Sequence, residues 1–136
     1  MSKKLLIGFV LVYVVFAALD TFVNALLLAP SYESVSHLFR PSEEMKLWVI
    51  YVSYIFFAFF FTFIFSKGYE GKGVLEGVRY GFYVALMMAL PYNYMSYAVM
   101  PVPYSMAFQG FLYATLELII CGVVLALVFG KKAPAS

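Results

Sequence analysis

A single cysteine, Cys121, and a single histidine, His37, are all the soft and imidazole chemistry this chain contains. One thiol can form neither a disulfide nor a dithiol redox pair within the chain, which excludes membrane disulfide exchange by the chain alone. One imidazole cannot supply both axial ligands of a membrane b-type haem, and no cluster of donors resembles a zinc site. His37 reads as a solvated loop residue and Cys121 as a small apolar residue on a helix. Charge is scarce too. Charged residues make up 12% of the 136, against about 25% in ordinary soluble domains. The net charge of +2 is carried by a few lysines and implies no nucleic-acid surface.

What the chain has instead is apolar bulk. Hydrophobic residues reach 65% and aromatics 21%, with a mean hydropathy of +0.92. A soluble domain of this length has too little interior to hide that much apolar surface, so lipid is the expected solvent. Four segments carry the density, at roughly residues 5–29, 46–66, 74–91 and 104–130, each near the roughly 20 residues that span hydrocarbon. The runs are continuous, without the alternation of a membrane β-barrel. The expected fold is an all-α integral membrane protein: one domain over 1–136, an antiparallel bundle of four transmembrane helices.

Basic residues set the expected orientation. Lys3, Lys4, Lys67, Lys72, Arg79, Lys131 and Lys132 fall on one side and Arg40 and Lys46 on the other. The positive-inside rule then puts both termini and the loop around 67–73 in the cytoplasm. The segments 30–45 and 92–103 face outward, where Trp48, Tyr32, Tyr51, Tyr92, Tyr94, Tyr97 and Tyr104 form an aromatic belt. Ser2-Lys3-Lys4 ahead of an apolar run resembles a leader, but the run continues to Ala29, beyond the roughly 7–15 residues of a signal core. A retained first helix is expected. The expected location is a bacterial or archaeal plasma membrane.

Within this apolar background, Asp20 and Glu117 stand out. An ionised carboxylate near the bilayer centre costs roughly 2.5–3.5 kcal/mol on insertion scales, so each must be protonated, paired or wet. Counting inward from Pro30 and Pro103 at about 1.5 Å per residue, Asn24 and Gln109 lie at about 9 Å and Asp20 and Tyr113 at about 15 Å. Facing residues of helices one and four then have numbers summing to about 133, and Glu117 falls one turn below Asp20. Asp20 and Asn24 share one helical face, as do Gln109, Tyr113 and Glu117. The expected network has Tyr113 donating to Asp20 and Asn24 exchanging bonds with Gln109, with Ser53, Tyr54 and Tyr83 completing the ring. It opens outward above a dry floor.

Gly73, Gly77, Gly81, Ala85 and Ala89 recur every four residues and predict a close helix-packing seam. The stretch Gly71-Lys72-Gly73-Val74-Leu75-Glu76-Gly77 lacks the strand–helix context of a phosphate-binding loop. Arg79 is expected to snorkel inward and pair with Glu76, which also faces Lys72. Pro41, Ser42, Glu43 and Glu44 predict a helix start. Phe56, Phe57, Phe59, Phe60, Phe61, Phe63 and Phe65 surround the second helix in all directions, as a lipid-facing or quinone-facing surface would.

No catalytic constellation emerges, so an enzyme is not expected. No resident cofactor or metal is expected, and the small molecules suited to the outward pocket are a lipid or a quinone. The favoured function is a non-catalytic subunit or assembly partner of a larger membrane complex. Next come a small oligomeric proton- or cation-coupled transporter or channel, then a quinone- or lipid-binding redox partner. Partners are membrane lipids and other membrane subunits or further copies of the chain.

Overall fold

The fold is that of a computed structural model, which describes residues 3–28 and 46–130 and, between them, Pro30, Glu33, Val35 and His37. All regular structure among the described residues is helical. Helix α1 spans Lys3–Phe22 and passes into a widened π-type turn over Val23–Leu27. Helix α2 spans Leu47–Gly68. A third rod is divided into α3, Val74–Val84, a second π-type turn, Ala85–Ala89, and α4, Leu90–Val99. Helix α5 spans Tyr104–Phe129. Lys3–Leu27, Trp48–Gly68 and Tyr104–Phe129 are each long and apolar enough to cross a membrane.

The third rod runs past the expected end at residue 91. A proline ring clashes with the carbonyl four residues earlier, and its missing N–H leaves that carbonyl unbonded. The widened turn just before Pro91 absorbs both problems, with Leu90 N–H bonding back to Ala85 O, and the helix continues to Val99.

α2 and α3 are joined by a short reversal. Gly71 and Gly73 have φ of 78° and 95°, values that a Cβ strongly disfavours and that allow the chain to turn in five residues. Glu76, in the first turn of α3, accepts from the backbone N–H of Glu70 at 2.7 Å and of Lys72 at 2.9 Å. This corrects the expected pairing of Glu76 with Arg79 and Lys72. Backbone donors of the turn reach the carboxylate first, and the Lys72 ammonium pairs with Glu70 at 3.0 Å instead. Arg79 is exposed.

The core gathers where α1 meets α2 and α5, and where α3 lies along α5. Val12, Ala58, Phe61, Phe65, Leu118, Cys121 and Leu125 are buried there. The phenylalanines of α2 divide accordingly. Phe61 and Phe65 face inward against Tyr80, at ring separations of 4.7 and 5.2 Å, while Phe56 and Phe60 are exposed. At one end, Lys4 Nζ donates to Phe129 O at 3.0 Å and Tyr69 OH to Gly130 O at 2.6 Å. The start of α1, the α2–α3 turn and the close of α5 therefore meet. His37 is exposed. Tyr32, Arg40, the expected helix start at Pro41, Ser42, Glu43 and Glu44, and Lys131 and Lys132 lie outside the described residues.

Candidate functional site

Three helices contribute to a polar cluster in the middle of the bundle. α1 carries Asp20 one residue-pair before its π-type turn, α2 carries Tyr54, and α5 carries Glu117. Tyr54 OH donates to Asp20 Oδ2, and Phe16, one turn before Asp20, meets the Tyr54 ring edge-on at 5.3 Å. The Glu117 carboxyl is near enough to that of Asp20 for the two to interact electrostatically. Two carboxylates are both acceptors, so they could bond each other only if one of them carried a proton. Glu117 is just 3% exposed, and its Oε1 is buried without a protein hydrogen-bond partner.

The cluster differs from the expected ring in its donor. The phenol on Asp20 comes from Tyr54 of α2 rather than Tyr113 of α5, because α1 packs along both helices and the Asp20 side chain turns toward α2. Depth counting sets height along a helix but not which neighbour a side chain turns to. Tyr113 is half-buried. Tyr83 stands apart, 60% exposed; two residues from Gly81, it is rotated about 200° away from the face that meets α5. Ser53 is also exposed, and its hydroxyl donates to Val49 O at 2.8 Å in its own helix. Asn24 and Gln109 are half-buried, and Asn24 Nδ2 donates to the Asp20 backbone carbonyl at 2.8 Å.

Height along the bundle follows a simple register. Lys4 meets Phe129, and a Cβ added to Gly8 would lie 2.9 Å from Leu125 Cδ2, pairs whose numbers each sum to 133. Asp20 and Glu117 depart from that sum by one helical turn.

The small-residue stripe of the third rod meets α5 of the same chain. A Cβ on Gly77 would strike the Gly122 carbonyl oxygen, and one on Gly81 the Leu118 carbonyl oxygen. Ala85 and Ala89 are buried further along the rod. Gly73 serves differently, as the positive-φ residue that starts α3. The receiving face on α5 carries Gly110, Ala114, Gly122 and Ala126 on the same four-residue spacing, interrupted by Leu118, a signal that the sequence reading did not use. At Gly110 the missing Cβ leaves room for Asn93 Oδ1, while Asn93 Nδ2 donates to Ala89 O at 2.7 Å.

A cleft of about 210 Å³ lies at the opposite end from Asn24, between α2 and α3, lined by Ile64, Phe65, Gly68, Tyr69, Glu76 and Tyr80. Its single carboxylate, Glu76, is already committed to the turn's amides. No protein-family model, curated protein or solved structure matches this chain.

Proposed function

We propose that the chain is an integral membrane protein of four antiparallel spans with both termini in the cytoplasm, serving as a non-catalytic subunit of a larger membrane complex. The apolar perimeter supports the membrane placement. Exposed apolar residues run along α1 as Leu6, Val10 and Val14, along α2 as Phe56, Phe60 and Ile64, and along α5 as Phe108, Leu112, Leu116 and Ile120. Such a surface is covered by acyl chains or by other apolar helices. The meeting of Lys4, Tyr69 and Gly130 at one end supports a common side for the termini and the 67–73 turn, and their lysines make that side cytoplasmic.

The observation that carries the subunit reading is α4. It contributes no buried residue, and Met88 of the π-type turn with Tyr92, Met95 and Val99 of α4 are 49% to 82% exposed. Their spacing of four, three and four is that of a seam receiving another helix. Methionine suits such a surface because its flexible thioether adapts to the facing side chains. The partner is thus a transmembrane helix of a different subunit.

A photoreactive benzoylphenylalanine placed at Met95, with the same group at Leu112 as control, tests this in native membranes. A single protein adduct of defined mass at Met95 and none at Leu112 is the expected outcome. An adduct of twice the chain's mass would replace the subunit reading with a self-assembled oligomer, and lipid adducts alone would remove it.

A further inference from the structure

We infer that the cleft between α2 and α3 is a binding site for one anionic phospholipid, which lays an acyl chain against Phe65 and Tyr80 and brings its phosphate between Lys67 and Arg79. The inference rests on the membrane placement above and on no partner subunit.

The cleft itself sets the kind of occupant. Ile64, Phe65, Gly68 and Tyr69 line it on one side and Glu76 and Tyr80 on the other. At about 210 Å³ it is smaller than the roughly 300–1,000 Å³ of pockets that enclose a whole small molecule, so it fits one segment of a longer apolar chain. Its polar groups are already engaged. Tyr80 OH donates to Phe61 O and Tyr69 OH to Gly130 O, each at 2.6 Å, and Glu76 accepts the backbone amides of Glu70 and Lys72. Ring and aliphatic surface is what remains to meet a ligand.

Gly68 points the same way. At Gly77 and Gly81 a Cβ would strike the facing backbone, and Gly71 and Gly73 hold positive φ. Gly68 has neither reason to be glycine, because its backbone belongs to α2 and nothing lies within 4 Å of an added Cβ. The missing side chain leaves open room in the cleft wall.

The lips of the cleft carry the charge. Lys67 precedes Gly68 and Arg79 precedes Tyr80, each about 100° round its helix from that lining residue, and both are exposed. Lys67 Nζ lies 5.2 Å from the centre of the Phe63 ring. Among the described residues neither cation has a carboxylate in ion-pair range, since Glu70 is paired with Lys72 and Glu76 is held by the turn. Arg79 stands six residues past Gly73, about 9 Å along α3, and a guanidinium at that depth in lipid needs an anion within reach. Long basic side chains extend toward the headgroups, where a phosphate accepts both arms of the guanidinium fork. Basic pockets between spans on the cytoplasmic side match the anionic lipids of that leaflet.

Native mass spectrometry of the full chain, released from nanodiscs of phosphatidylcholine and phosphatidylglycerol in equal amounts, tests the site. The expected result is one phosphatidylglycerol retained per chain in preference to phosphatidylcholine. Lys67→Gln and Arg79→Gln should each lower that preference about fivefold, whereas Lys46→Gln, at the opposite end of α2, should leave it unchanged. Gly68→Leu occupies the cleft without striking a neighbour. It should therefore cut retention while the thermal unfolding midpoint holds, which separates a seated acyl chain from loose attraction of anions to a basic end. Equal retention of the two lipids, a preference that survives Gly68→Leu, or one lost equally in Lys46→Gln overturns the proposal. A quinone or another uncharged lipid bound in place of phospholipid overturns it as well. Release of the wild type from membranes by alkaline carbonate would remove the membrane placement and the site together, whereas a carbonate-resistant protein without lipid preference removes the site alone.

Discussion

The two halves of the third rod are alike in overall hydrophobicity, yet they behave oppositely. Before the π-type turn, α3 buries Gly77, Gly81 and Val84 against α5; after Pro91, α4 buries nothing. Hydrophobicity does not explain the difference, since α4 offers tyrosines, a methionine and a valine. Backbone access does. Glycine facing glycine lets α3 and α5 approach until a single methyl group would touch a carbonyl oxygen, which maximises dispersion contacts between the two helices. The bulky residues of α4 hold its axis away from such an approach, and at Gly110 it is the Asn93 side chain that makes the contact.

The largest way to break this contrast is to fill the seam. Gly81→Ala places a methyl group against the Leu118 and Ile119 backbone. A backbone obstacle cannot rotate away, so the loss should be about 1–3 kcal/mol, outweighing the roughly 1 kcal/mol that alanine gains as a helix former. Thermal unfolding in detergent measures it, and an unchanged midpoint would deny the close approach. Gly77→Ala and Gly122→Ala test the same contact from its two sides, because each Cβ would meet the other residue's carbonyl oxygen. Their effects should be non-additive by about 0.5–3 kcal/mol in a double-mutant cycle; strict additivity would mean that the two glycines do not face each other.

Smaller effects sharpen the comparison. Tyr80→Phe removes the hydroxyl that ties α3 to Phe61 O of α2 and should cost about 0.5–1.5 kcal/mol, measured by the same unfolding midpoint. Gly110→Ala meets only the flexible Asn93 side chain. Its cost is largely offset by the roughly 1 kcal/mol of added helix propensity, and Asn93→Ala in the same chain should remove what remains. Met95→Ala, on the exposed face of α4, should change the stability of the isolated chain by less than about 0.5 kcal/mol. A larger loss would show that α4 contributes to the bundle itself.

Much of the site's height was legible before its neighbours were. Composition and run length announced apolar helices because a helix must satisfy its backbone internally wherever lipid surrounds it. Constant rise per residue gave helices one and four a register summing to about 133, the sum at which Lys4 meets Phe129 and Gly8 meets Leu125. The phenol that reaches Asp20 was not legible in the same way, since Tyr54 and Tyr113 compete at similar depth and only the packing of α1 between α2 and α5 selects the former. Tyr83 was misjudged for a related reason: depth was counted, but its angle from Gly81 was not. The extension to Val99 escaped because Pro91 reads as a stop unless a widened turn precedes it.

The sequence by itself determined that the chain is helical and apolar, that two acids lie within apolar runs, and that one rod has a face of small residues. These are properties of each segment alone, set by backbone hydrogen bonding, side-chain size and rise per residue. Tertiary structure decided which segments meet: that the glycine stripe closes on α5 of the same chain, and that Asp20 finds Tyr54 of α2. Those choices depend on the rotation of each helix about its axis. That rotation is fixed by the fit of all the contacting faces together, and no single segment encodes it.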